Sequence, residues 1–170
     1  MPAVLLFAIT HVVINAGDKP WGGGGKSHGG ILVHTDWLTM GSGVEYVEEV
    51  MLHEAGHAAW DRSHRNSPGW LAAQAADSVF ISRYARDFPD REDVAESILP
   101  YFAVRYQSDR LTAAERATIL RTIPNRLKYF DEQGFDMSPY EPSEVQEPPE
   151  EIVTIQGKVI GPDSQPLEGY

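Results

Sequence analysis

Val50-Met51-Leu52-His53-Glu54-Ala55-Gly56-His57-Ala58-Ala59-Trp60 holds two histidines four residues apart in a proline-free run whose one charged residue is Glu54. In an α-helix, residues four apart stack on one face, so His53 and His57 aim two imidazoles at one point. Neutral imidazole suits zinc, and two from a single turn make half of a tetrahedral shell. Glu54 falls beside that face, where its carboxylate reaches a water on the metal rather than the metal. Zinc lowers the pKa of bound water to about 7, and a nearby carboxylate takes its proton. A His-Glu-x-x-His run arises by chance in on the order of 1% of chains this size. The apolar flanks weigh against the plainer reading, a helix with two core histidines and an exposed glutamate.

Working outward, Ser42 and Glu45 have capping-box spacing, and Val44, Val47, Val50 and Met51 follow at helical intervals. The spacing predicts a helix from about residue 42 to 62. Before it, residues 3–15 read as one or two apolar strands, with a buried strand the simplest reading of Pro2–Ile9. Residues 16–30 read as a glycine-rich loop, and Ile31-Leu32-Val33-His34-Thr35 as a further strand. Beyond the first helix, Ser67-Pro68 marks a start for a second over about 68–84. A third begins near Asp90, carrying Val94, Ile98, Phe102 and Val104, with Pro100 expected to kink or divide it. Thr112 and Glu115 offer a capping box for a helix to about Ile123, and a last helix over about 124–133 stops at Gly134. The fold class expected is α+β, a small N-terminal sheet packed on a helical bundle with the metal between the first and third helices.

A zinc site needs a third ligand. Asp61 shares the face of His53 and His57, but one turn further on it is too far to join His53 at one ion, and local hydrogen bonding suits it better. His64 does not have the spacing of the metzincins, since Trp60 and Ser63 stand where that pattern has glycine and histidine. There is no cysteine for a thiolate ligand. Glu92 and Glu96 remain, four apart on one helical face in Arg91-Glu92-Asp93-Val94-Ala95-Glu96.

His53-Glu54-x-x-His57 followed by Glu92-x-x-Ala95-Glu96 is similar to the gluzincin peptidases, and resembles most the lethal-factor-type branch and bacterial putative zinc peptidases. The resemblance covers roughly residues 31–106 and implies a zincin-like fold. It implies that Glu92 ligates zinc while Glu96 lies close behind, accepting the free N–H of a zinc histidine. It also implies a tyrosine that stabilises the oxyanion. Tyr84 is the match, one residue further from Glu92 than the family spacing. The activity implied is zinc-dependent endopeptidase action on a peptide or protein substrate, with Glu54 as general base and an edge strand, here Ile31–Thr35, pairing with the substrate backbone. The loop at 21–30 is a candidate cover for the cleft. Two alternatives stand beside this: a catalytically silent binding or scaffold module, which would tend to lose Glu54, and a zinc hydrolase of a non-peptide amide.

Net charge is −11 and no block of Lys or Arg occurs, so nothing offers the basic face that nucleic acid or an anionic membrane surface requires. The opening apolar run is too short to span a bilayer, and no membrane insertion is expected. Gly25-Lys26-Ser27 suggests a phosphate loop, but Pro20 stands where that pattern demands glycine. His28 and His34 read as surface or core histidines, and Trp60 and Trp70 as core. The domain division expected is 1–137 for the peptidase-like part, a Pro/Glu-rich linker over 138–151, and over 152–170 the first strand of a second domain, resembling the opening of a carboxypeptidase-regulatory-like β-sandwich. That appended segment points to a secreted or cell-envelope location.

Overall fold

The run around the two histidines is the middle of a long helix in the computed structural model, which describes residues 1–24, 29–38 and 43–141. In chain order the elements are α1 (Ala3–Leu6), β1 (His11–Asn15), β2 (Gly22–Gly24), β3 (Gly30–His34), a 3₁₀ turn (Thr35–Leu38), α2 (Gly43–His64), α3 (Pro68–Asp77), α4 (Arg83–Asp87), α5 (Asp93–Tyr106), a second 3₁₀ turn (Ser108–Arg110), α6 (Ala113–Thr122) and α7 (Pro124–Gln133). The protein is α+β, with a three-stranded sheet and seven α-helices among the described residues. None of the described helices is long and apolar enough to cross a membrane. The compact unit runs from Met1 to Tyr140. Most of the expected linker and all of the expected second domain, residues 142–170, lie outside the described residues, as do Ser42 of the proposed capping box and residues 25–28.

The sheet departs from the sequence reading in three places. Residues 3–6 form a short helix rather than a strand, with Leu5 fully buried while Phe7 is exposed. β1 is a strand, but every residue of it is exposed, Val12, Val13 and Ile14 included, so its β-branched side chains favour extended backbone without a core to face. The glycine-rich segment carries β2, which pairs antiparallel with β3, while β1 pairs parallel with β3 on its other side. β3 is therefore the central strand with both edges taken, and β2 is an edge strand.

The helices follow their signals closely, with two exceptions. α3 stops at Asp77 because Ser78 turns left-handed (φ 54°), and a separate short helix, α4, follows after Ser82 caps it. Pro100 does not divide α5, which is continuous from Asp93 to Tyr106. The missing N–H deprives only the Glu96 carbonyl of its intrahelical bond. Thr112 and Glu115 form the capping box at α6, and α7 ends at Gly134.

The core lies between α2, α3, α5 and α7. Trp70, Phe130 and Tyr101 are fully or almost fully buried there, and the Trp60 and Phe135 rings stack 4.1 Å apart. Two glycines set how closely elements approach α2. A Cβ on Gly56 would collide with Ile98 Cδ1, so its absence lets α5 lie against α2 between the two histidines. A Cβ on Gly23 would collide with the Glu54 carbonyl oxygen, so β2 touches the backbone of the same helix. The site thus sits where α2 is closed in by a strand on one side and a helix on the other.

Candidate metal centre

His53, Glu54 and His57 leave one stretch of α2, and Glu92 arrives from the N-cap position of α5. His57 Nε2 lies 3.1 Å from His53 Nε2 and 3.0 Å from Glu92 Oε2. His53 Nε2 lies 3.5 Å from the same oxygen. Ligand atoms bound 2.0–2.2 Å from one zinc with tetrahedral angles stand about 3.3–3.5 Å from one another. The three donor atoms therefore have nearly the mutual spacing of three ligands around one ion, and among the described residues they form the one such group. Their chemistry, two imidazole nitrogens and a carboxylate oxygen, is a zinc donor set with a fourth position left over.

The rings are held from behind. His53 Nδ1 faces Glu96 Oε1 at 3.3 Å, and His57 Nδ1 faces Asp61 Oδ2 at 3.0 Å. A carboxylate only accepts, so each imidazole donates from Nδ1, and in its neutral form each would have the Nε2 lone pair left for a metal. Glu96 stands where the resemblance implied. Asp61, read from the sequence as a local hydrogen-bonding residue, makes the matching contact on the second histidine one turn along α2.

Tyr84 donates its hydroxyl to Glu92 Oε1 at 3.1 Å, the oxygen turned away from the histidines. Its longer spacing from Glu92 is absorbed by the turn between α4 and α5. Phe88 N donates to the Tyr84 carbonyl and Glu92 N to the Phe88 carbonyl, two steps of four residues that bring positions 84 and 92 onto one side. Glu54 is buried, and burial raises its pKa above the ordinary glutamate value against the pull of the two histidines. The Gly23 N–H, in the strand that touches the Glu54 backbone, faces its carboxylate and works against that rise.

Electrostatically the cluster is arranged around positive charge. Burial disfavours charge on His53, but hydrogen bonds to Glu92 and Glu96 outweigh it and push its pKa up to about 9. His57 is likewise pushed up to about 10, by Asp61 and Glu92 against burial. Burial opposes ionisation of Glu92, yet its bonds to both histidines hold its pKa far below the carboxylate range. Glu96 is lowered by its bond to His53.

The centre opens into a cleft of about 730 Å³ that follows α2 from Tyr46 past His57 to Arg65. Its walls include Trp21 and Gly22–Gly23 on the strand side, and Tyr84, Arg91 and Leu99 on the helix side. Trp21 carried no signal in the sequence. It is placed by its indole N–H, which donates to the His34 carbonyl at 3.0 Å, so the segment entering β2 is pinned to the end of β3. His34 itself is buried and does not line the cleft, and Trp60 and Trp70 belong to the core as expected. Compared with protein-family models, curated proteins and solved structures, the chain matches none of them.

Proposed function

We propose that the chain is a zinc-dependent endopeptidase of gluzincin type on a zincin-like fold. The observation that carries this reading is the convergence of His53 Nε2, His57 Nε2 and Glu92 Oε2 at ligand spacing, with Glu54 beside them in an open cleft. His53, His57 and Glu92 would hold the metal. When bound, zinc supplies a Lewis acid that acidifies water and polarises a carbonyl. Glu54, its basicity raised by burial, takes the proton of the attacking water and passes it to the leaving amine. The Tyr84 hydroxyl stands on the rim of the centre and turns from Glu92 to the developing oxyanion. Glu96 and Asp61 keep the two imidazoles in the ligating tautomer.

The strand that supports substrate is β2 rather than Ile31–Thr35, because β3 has no open edge and β2 lines the cleft. An extended peptide laid along Gly22–Gly24 would pass over the centre with its backbone paired. The intact Glu54 favours an enzyme over a silent binding module.

The test is zinc content by elemental analysis after chelation and reloading, with peptide-library cleavage on the same samples. One zinc per chain is expected, lost in Glu92→Ala and largely kept in Glu96→Ala. Glu54→Gln is expected to keep zinc and lose at least about 100-fold in hydrolysis. A folded wild-type chain that takes up no zinc would overturn the proposal. So would undiminished hydrolysis by Glu54→Gln.

A further inference from the structure

The two halves of the cleft differ in charge. On the His53 side its lining includes Tyr46, Glu49, Val50 and Leu99, with no cation among them. It also carries two arginines, Arg65 one turn beyond Asp61 on the His57 side of α2, and Arg91, which precedes Glu92 and so lies at the opposite end of the Glu92–Glu96 stretch from the Glu96–His53 contact. Both guanidiniums are incompletely used. Arg65 Nη1 stands 3.7 Å from Asp61 Oδ2, beyond hydrogen-bonding distance. Arg91 offers Nε to Glu92 Oε1 at 3.3 Å, interacts with the Tyr84 hydroxyl and packs its guanidinium over the Phe88 ring. Neither makes the two-pronged contact with a carboxylate that a guanidinium fork favours, and each has five N–H donors to place. Their side chains remain 40% and 54% exposed, in the water of the cleft. A protein with net charge −11 holds these two cations in the cleft of its candidate metal centre.

We infer that the Arg65–Arg91 end of the cleft is a subsite for a carboxylate carried by the peptide, either an Asp or Glu side chain or the C-terminal carboxylate. Glu49 at the opposite end repels the same group, so the pair sets the direction in which a peptide lies as well as its preference. The inference rests on the proposed peptidase reading for its ligand class, but on different residues, and the two fail separately.

The experiment is affinity selection of a randomised peptide library on the immobilised, zinc-loaded Glu54→Gln chain, with zinc per chain measured on the same resin. Two libraries are used, one with free C-terminal acids and one with C-terminal amides. Retained peptides enriched in Asp or Glu at one position in both libraries identify a side-chain carboxylate. Retention from the acid library alone identifies the C-terminus. Arg65→Gln, which touches no zinc ligand and places no new charge beside Asp61, is expected to reduce the enrichment about 3- to 10-fold with zinc unchanged, a size set by part-exposed ion pairs. Arg91→Gln is expected to reduce the enrichment likewise, compared at equal zinc occupancy because Arg91 also pairs with Glu92. Retention without carboxylate bias, or bias that survives both substitutions, overturns the subsite and leaves the peptidase reading standing. No retention on zinc-loaded resin also overturns it. The peptidase reading is judged independently, by zinc uptake and wild-type hydrolysis.

Discussion

The Nε2 atoms of the two imidazoles stand 3.1 Å apart, with Glu92 Oε2 3.0 and 3.5 Å from them, an arrangement that favours protonated imidazoles when no metal is bound. His53 and His57, pushed up to about 9 and about 10, are raised above the ordinary imidazole value of 6.5. A raised folded-state pKa contributes stability that is fully present below about pH 6.5 and is lost as pH rises through 9 to 10. The metal-free chain should therefore melt several degrees lower at pH 10 than at pH 7, a loss on the order of 2 kcal/mol. A His53→Gln/His57→Gln double variant should lack that component of the slope. Zinc requires neutral imidazoles, so loading at pH 7 should release protons, seen as binding heats that change with the ionisation enthalpy of the buffer. Calorimetry with and without chelator checks both, and equal pH slopes in wild type and the double variant would show that the pair stores no proton. Most of this centre is legible in the sequence, because His53, Glu54, His57 and Asp61 share one helix whose period fixes their mutual placement. Glu92, Glu96 and Tyr84 lie on other elements; elimination among possible ligands left Glu92 and Glu96, and the family resemblance chose between them and added Tyr84. Arg65, Arg91 and Trp21 gave no signal, since a residue that lines a cleft by tertiary placement has no local pattern.

Helices announced themselves through caps and periodicity, and β1 and β3 through apolar runs, but β2 did not. Ser67, Thr112 and Gly134 mark helix ends in the structure as in the sequence. β2 is three glycines, the residue least expected in a strand, and only its tertiary role explains it. Gly23 has no side chain because the Glu54 carbonyl occupies the space one would need, and its N–H is directed at the Glu54 carboxylate. The obstacle is backbone on both sides, so no rotamer change can relieve it. Gly23→Ala is accordingly expected to cost about 1–3 kcal/mol, lowering Tm by about 3–10 °C. It should also displace the N–H that faces the Glu54 carboxylate, with a larger loss in kcat than in zinc affinity. Thermal melting, zinc titration and single-turnover hydrolysis separate these effects. Gly56 is the contrasting case. Its obstacle is the end of the Ile98 side chain, so Gly56→Ala should be rescued in part by Ile98→Val, whereas no partner change rescues Gly23→Ala.

Across the whole molecule, the position of Glu92 depends on a buried ion cluster that joins three helices. Arg126 of α7 is fully buried, donating Nη1 to Asp77 Oδ2 at 3.0 Å and Nε to Asp93 Oδ2 at 2.8 Å. Asp77 closes α3 and also accepts the backbone N–H groups of Asn125 and Arg126 at the start of α7. Asp93 is the residue after Glu92, so the cluster anchors the start of α5, from which the third ligand projects. Nothing in the sequence marks Arg126, because its partners lie 49 and 33 residues away and an arginine on an amphipathic helix ordinarily faces water. Burial raises the pKa of Asp93, and Arg126 and Gln74 work against that rise. Removing the cation alone leaves two buried carboxylates facing each other, and Arg126→Met is expected to cost about 3–5 kcal/mol. Adding Asp93→Asn removes one of the two charges and should recover part of that loss, although it restores no bond from α7 to α5. If the cluster sets the position of Glu92, zinc affinity should stay reduced in the double variant even where stability recovers. Denaturant unfolding and zinc titration on the two variants distinguish the outcomes, and full recovery of zinc affinity together with stability would limit the cluster to holding the fold.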